Sequence, residues 1–336
     1  MRFNGCVNKD MNSVYLNSND IKAKALRLGF SACGMARALP LDAEAQTHFG
    51  RWIATGAHAG MDYMARHTPL RMDPSLLVPG ARTVISVALP YRPAHPVEGL
   101  AWYAHGKDYH MVMKERLQQL LQLAGATGRC FVDTAPIDER YWAWKAGVGF
   151  IGRSGMLIIP QMGSRFFLGE ILTTLPADTY DVPLTPDIAA HSLCGTCRRC
   201  IDACPGKALT PHGLDARRCL SYLTIEHRGP LPPQAARWMH ATPGTPLFYG
   251  CDRCTEVCPY NTPKRAVAGD DAMGDSAARD CTMPANADFW KQLSIADYRQ
   301  IFRRSAVKRA KYEGLMRNIR AFFGEESAET DVPDSL

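Results

Sequence analysis

Cys194-Gly-Thr-Cys197-Arg-Arg-Cys200-Ile-Asp-Ala-Cys204-Pro205 is followed later in the chain by Cys251-Asp-Arg-Cys254-Thr-Glu-Val-Cys258-Pro259. The first stretch is the run found in bacterial ferredoxins, where three closely spaced thiolates hold one [4Fe–4S] cluster and the fourth reaches to a second. The later stretch ends in the same CxxxCP but is one ligand short. Aligned on its terminal Cys-Pro, it has Phe248 where a first cysteine belongs. Seven thiolates are then available for two clusters that need eight, and the nearest spare is Cys219, between the runs.

The expected pairing is crossed. Cys194, Cys197, Cys200 and Cys258 form one set, and Cys204, Cys219, Cys251 and Cys254 the other. CxxC pairs also suit tetrahedral zinc, but zinc has no need of a tight triple run closed by Cys-Pro. Clustered cysteines in a chain without secretory features favour metal over disulfides. Cys6, Cys33, Cys130 and Cys281 stand outside the pattern and read as ordinary thiols.

The 336 residues, 46% hydrophobic and 21% charged, suit two globular domains. Apolar runs such as Val84–Leu89 are far shorter than the ~20 residues of a membrane-spanning helix, and the N-terminus lacks the layout of an export signal. A cytoplasmic protein with no membrane contact is expected. The net charge of +6 is mild, but Ile301–Arg320 holds seven basic residues against one acid, Glu313. Lys308 and Arg309 lie at its centre; such a segment either meets nucleic-acid phosphates or forms a solvated helix face.

Residues 1–180 read as alternating helices and strands, a mixed α+β or α/β domain. Ser18 or Asp20 is expected to cap a helix running to about Leu28. Val84–Leu89 reads as a buried strand, and His110–Ala124 as a helix packed on its sheet. A short strand ends in Cys130-Phe-Val-Asp133. Ligands bind at the carboxyl ends of strands in α/β proteins, which makes Asp133 a candidate; the plainer reading is an aspartate capping a turn. Glu139–Ala146 is expected to be helical, Gly149–Gly155 a loop, and Met156–Ile159 and Phe166–Leu172 strands. Pro176, Pro183 and Pro186 mark a linker into a ferredoxin-like domain, 181–265. A loop and basic helical segment, 266–320, and a disordered acidic tail, 321–336, complete the layout. Gly147-Val-Gly149-Phe-Ile-Gly152 has dinucleotide-binding spacing, but it follows a helix and leads into a strand, which is the wrong context.

Phe131-Val-Asp133-Thr-Ala-Pro136, Lys145-Ala-Gly-Val-Gly-Phe-Ile-Gly152, Phe166-Phe-Leu-Gly-Glu170 and Arg218-Cys219-Leu-Ser-Tyr-Leu-Thr-Ile-Glu226 closely resemble epoxyqueuosine reductase, as do Gly106-Lys-Asp-Tyr-His110 and Arg317-Asn-Ile319. The motifs run in family order over roughly residues 20–320. The resemblance implies two [4Fe–4S] clusters and cobalamin, with 1–180 as the cobalamin-binding catalytic domain. The implied substrate is epoxyqueuosine at the wobble position of tRNA with a GUN anticodon, and an external electron donor feeds the clusters. The clusters would pass electrons singly to cobalt, whose Co(I) state attacks the epoxide; the cofactor carries the difficult chemistry.

The family's proton donor falls on Asp133. A carboxyl normally ionises near pH ~4, so Asp133 is expected to be kept protonated by desolvation beneath the corrin. His58 lies in a motif the family places near the corrin. Ser154 and Ser221 are expected to meet cobalamin at the domain junction. No DxHxxG occurs, so no protein histidine is expected on the cobalt. Thr134 replaces the usual serine, and Gly152-Arg153-Ser154 the usual Gly-Lys-Asn or Gly-Lys-His. Without the helical-repeat extension of some relatives, the grip on tRNA is expected to fall on Lys308 and Arg309. A monomer is expected. The rival readings are a cobalamin-dependent reductive dehalogenase, which usually has a twin-arginine leader, and a non-catalytic ferredoxin-type electron carrier.

Overall fold

The computed structural model describes residues 15–93, 96–188, 191–210, 213–241, 243–261 and 286–324. Cys6 and Cys281 lie outside them, as do nearly all of the loop expected after 265 and the tail beyond 324.

The central sheet has four strands in the order Ala32–Arg37, Thr83–Pro90, Phe166–Thr173, Gly128–Phe131, and every pairing is antiparallel. This corrects the α/β reading, since the strand-end rule that drew attention to Asp133 belongs to parallel sheets. Antiparallel sheets often leave one face to water; this one is covered on both. Ile85, Val87, Leu89 and Ile171 pack against Ile21 and Ala25 of helix Ser18–Arg27 and Met113 and Leu117 of helix Tyr109–Leu123. Val84, Ala88 and Leu172 pack instead with Tyr141, Trp142 and Trp144 of helix Glu139–Lys145. Gly169 makes the first packing possible, because a Cβ there would lie 2.8 Å from Met113 Cε and 2.9 Å from Leu117 Cδ1.

The helix at Ser18 is capped by Asn17, whose side chain accepts the Asp20 N–H, and not by Ser18 or Asp20. Strand Ala32–Arg37 and helix Ala43–Ala54 were not expected from sequence. The glycine-rich loop includes a two-residue strand, Phe150–Ile151, paired with Leu157–Ile158. The proline-marked linker is stitched to the first domain: Asp181 accepts from Lys22 Nζ at 2.6 Å and the Met35 amide at 2.9 Å, and Trp144 Nε1 donates to Thr185 Oγ1.

A third core gathers Phe248, Tyr249, Trp290, Phe302, Leu315 and Ile319. Phe248 is 1% exposed, so the place of the missing cysteine is occupied by a core aromatic. Leu100 and Ala104 join this core, and strand Gly99–Leu100 pairs parallel with Leu247–Tyr249. The first domain thus contributes a segment to the second, across the expected boundary at 180. The helix expected to end near 320 continues to Phe323. Among the described residues no helix is long and apolar enough to cross a membrane.

Candidate active site

Asp108 starts the site. Its carboxylate caps helix Tyr109–Leu123 by accepting the His110 amide, which fixes Tyr109 and His110 in the first turn. Tyr109 stacks between His110 and Phe167, with ring centroids 4.0 and 4.3 Å away. Its hydroxyl donates to Asp133 Oδ2 at 2.6 Å, and His110 Nε2 meets the same oxygen at 3.2 Å. His110 Nδ1 lies 2.7 Å from Asp108 Oδ1. A ring with a carboxylate at each nitrogen is a double donor, the imidazolium form. Burial opposes that charge, but Asp108 and Asp133 outweigh it and push His110 up to about 9.

Asp133 is the charged partner of this ring. Burial favours its neutral form, but hydrogen bonds from His110 and Tyr109 and the His110 charge prevail, holding the carboxyl below the usual range. The resting group is a carboxylate, with the proton on His110. The side chain is 56% exposed and lines a cavity of about 160 Å³ with Tyr109, Glu139, Arg140, Met156 and Phe167. Its backbone is left-handed, at φ +46°. The Asp133 amide donates to Glu139 Oε1 at 2.5 Å. Burial, then the Asp133 charge, pushes Glu139 up to about 8. Behind it Glu170 is fully buried and raised further, by burial and then by Glu139.

The cysteines of the two runs and Cys219 act on one another electrostatically. Burial raises the Cys200 thiol to about 11, with Cys194, Cys258 and Cys197 adding to the rise. Cys254 is raised by burial and by Cys251 and Cys219, and Cys219 by burial and by Cys204. Backbone N–H groups of Tyr222 and Ser221 point at Cys219 and favour its thiolate. Among the described residues no three His, Cys, Asp or Glu groups are close enough to hold a metal ion as they stand. Cys33 and Cys130, outside the two runs, are raised by burial to about 12 and about 11.

The Cys219 segment meets the first domain at the loop carrying His58. The Ala216 amide donates to Ala57 O at 2.8 Å, and the Gly60 amide to the Tyr222 hydroxyl at 2.9 Å. His58 Nδ1 is buried without a hydrogen-bond partner among the described residues. Ser154 lies in the glycine-rich loop. That loop accepts Arg140 at Gly155 O, and its Arg153 donates to Gly195 O of the first cysteine run. A Cβ on Gly152 would lie 3.6 Å from Cys194 Sγ. Arg140 joins the two halves electrostatically, favouring the Asp133 carboxylate and the Cys219 thiolate alike.

The basic C-terminal segment divides by role. Arg317 is structural: its guanidinium donates to Leu223 O, His227 O and Gly229 O, while Asn318 Nδ2 donates to Thr224 O. Together they staple the last helix to the helix that follows Cys219. Arg309 forms a two-point pair with Glu226 at 2.7 and 2.8 Å, a partner not foreseen from sequence. Lys308 is exposed, with no ion pair among the described residues. Sequence reading did not single out Asp108, Tyr109, His110, Glu139, Arg140 or Glu170. The Gly-Lys-Asp-Tyr-His and Phe-Phe-Leu-Gly-Glu motifs contain four of them, and nothing in the sequence marked Glu139 or Arg140.

The cysteine runs beside a carboxylate–histidine site fit an iron–sulfur oxidoreductase. Residues 193–261 match the family model "4Fe-4S double cluster binding domain", and residues 71–134 match "Epoxyqueuosine reductase QueG, DUF1730". The chain is 37% identical over 311 residues to the epoxyqueuosine reductase of Leadbetterella byssophila, covering 90% of this chain and 97% of that protein. It is 39% identical over 316 residues to that of Gloeobacter violaceus, covering 90% and 95%. The chain belongs to the epoxyqueuosine reductase family. Among solved structures it resembles an epoxyqueuosine reductase crystallised with an epoxyqueuosine-modified tRNA-Tyr stem loop (TM-score 0.74, 26% identity, 91% of this chain, 80% of that one). It also resembles the Bacillus subtilis enzyme captured with its catalytic aspartate loop swung out of the active site (TM-score 0.75, 25% identity, 91% and 81%).

Proposed function

We propose that this chain reduces epoxyqueuosine to queuosine at the wobble position of tRNA with a GUN anticodon. The reaction consumes two electrons and two protons and releases the epoxide oxygen as water. The observation that carries the reading is the hydrogen-bonded Tyr109–Asp133–His110 group in a chain whose residues 193–261 match a double-cluster domain. Proton delivery and electron supply then serve one reacting group.

Cys194, Cys197, Cys200 and Cys258 would hold one [4Fe–4S] cluster, and Cys204, Cys219, Cys251 and Cys254 the other. When bound, the clusters would supply single electrons taken from an external donor. The action of Cys194, Cys197 and Cys258 on Cys200, and of Cys219 and Cys251 on Cys254, supports this ligand set. Cobalamin fits the junction between the His58 loop, Ser154 and Ser221, because His58 Nδ1 is a buried polar atom still lacking a partner and a corrin is rimmed with amides. When bound, cobalamin supplies a low-potential nucleophile able to open an epoxide.

The chain's own residues move the proton. His110 carries it at rest and passes it across the 3.2 Å contact to Asp133 Oδ2, while Asp108 keeps the ring oriented. Tyr109 holds the same oxygen in place. Covering the exposed carboxylate with substrate and cofactor removes water from it, which favours its protonated form. Asp133 is then the group that protonates the departing oxygen. Lys308 supports a phosphate contact for the tRNA, and Arg309 is committed to Glu226.

The test is turnover of epoxyqueuosine-containing tRNA by reconstituted protein with cobalamin and reductant, read by mass spectrometry of the nucleosides. Asp133→Asn is expected to keep both clusters and cobalamin yet lose turnover by 100-fold or more, on the order of a general-acid contribution. Full activity of that variant removes Asp133 from the mechanism.

A further inference from the structure

We propose that Glu139 is a positioning residue, the latch that holds Asp133 in the site by accepting its amide hydrogen. The inference rests on the reading of Asp133 as proton donor and names what keeps that donor in place. A non-glycine residue at φ +46° is held in a sparsely populated conformation that costs roughly 1 kcal/mol or more. Such a conformation persists only where its surroundings enforce it. Asp133 follows the last residue of strand Gly128–Phe131 by two positions, so the sheet ladder has already ended. The nearby Thr134–Val132 and Ile137–Ala135 backbone bonds are local turns that travel with the loop. The 2.5 Å bond from the Asp133 amide to Glu139 Oε1 instead anchors the loop to the start of helix Glu139–Lys145, which is packed on the sheet through Tyr141 and Trp142.

Glu139 is itself backed by an unusual neighbour. Glu170 stands opposite both Ser86 and Phe131 in the sheet register and is 0% exposed. Ser86 donates to its Oε1 at 3.2 Å, and its Oε2 is buried with no partner. Burial and neighbouring carboxyls push both groups upward, which favours a neutral Glu139. The groups acting on Glu139 are Asp133, Arg140 and Asp138, with Glu170 behind it. A neutral Glu139 still accepts the amide hydrogen through its carbonyl oxygen. Its role is therefore that of an acceptor at a fixed point and does not need its charge. The Bacillus subtilis relative, seen with its catalytic aspartate loop swung out, shows that such a loop can have a second position in that enzyme.

Glutamine keeps the acceptor and alanine removes it, so the pair separates a latch from a charge. Glu139→Ala is expected to lower kcat about 10- to 100-fold with little change in KM for the tRNA, matching the loss of one hydrogen bond to a polar buried group. Glu139→Gln should remain within about threefold of the parent. Amide hydrogen exchange at Asp133, measured by NMR on the cluster-loaded chain, should be at least about tenfold slower in the parent than in Glu139→Ala. That readout needs no catalysis, so it stands even where Asp133→Asn proves active and the proton-donor reading fails. Parental kcat in Glu139→Ala overturns the proposal, as does equal loss in the Gln and Ala variants. If Glu139→Ala does not fold, the parent alone still decides: an Asp133 amide exchanging as fast as an unprotected one refutes the latch.

Discussion

Replacing His110 with glutamine removes the cation held between Asp108 and Asp133. A rise from 6.5 to about 9, at about 1.4 kcal/mol per pH unit, corresponds to about 3 kcal/mol of preference for imidazolium in the folded chain. The ring is 30% exposed, and solvent screening trims this to about 2 kcal/mol. Because the folded value is raised, the contribution is complete below the unfolded value of ~6.5 and fades as pH climbs through about 9. The parent should therefore exceed His110→Gln in resistance to denaturant by about 2 kcal/mol at pH 6 and hardly at all at pH 10. Ring NMR of the parent, with histidine isotopically labelled, should show His110 titrating near 9 while Asp133 stays ionised. Turnover limited by this proton should fall above the same midpoint, and that limb should vanish in the variant. A midpoint near 6.5, or a stability difference that does not vary with pH, refutes the proton arrangement drawn here.

Cys219→Ser removes the thiolate supplied from outside the two runs. Iron content is expected to fall from about eight to about four atoms per chain, with cluster absorption roughly halved in the anaerobically reconstituted protein. Lys308→Ala should weaken binding of a tRNA anticodon stem loop and lower the salt slope by about one counterion, as read from affinity at several salt concentrations. Arg309→Ala should change that slope less, because its charge is already matched by Glu226.

The cysteine pattern was legible because ligand spacing is a local property: seven of the eight proposed ligands sit in two short runs. The buried strand Thr83–Pro90 was legible for the same reason, its apolar run being continuous. Strand Ala32–Arg37 was not. Its Ala-Cys-Gly-Met-Ala-Arg sequence is poor in bulky β-formers, and the small residue is demanded from far away: a Cβ on Gly34 would lie within van der Waals overlap of Ala146 O. The partners of Asp133 were hidden for a related reason. Desolvation was foreseeable, but the opposing hydrogen bonds come from Tyr109 and His110, more than twenty residues earlier in sequence. The Arg309–Glu226 pair was hidden likewise, because Glu226 lies 83 positions away. Composition reveals which charges exist; only the fold decides which of them are already paired.

The antiparallel sheet explains why the site could be found through a rule that does not apply to it. Phe131 and Ser86 flank Glu170 in register, so the strand leading to Asp133 ends over a buried carboxyl. The same edge faces helix Tyr109–Leu123, whose Asp108 cap directs Tyr109 and His110 toward Asp133. The opposite face supplies helix Glu139–Lys145, which carries both Glu139 and Arg140. Asp133 is thus approached from both faces of one sheet, with a protonated histidine on one side and a carboxyl and an arginine on the other. Arg140 then extends this arrangement to Cys219, whose helix is stapled in turn by Arg317 and Asn318. A change in the last helix is therefore expected to be felt first at the Cys219 quartet and only through it at Asp133. The proton site and the electron site share supports but remain separable by mutation.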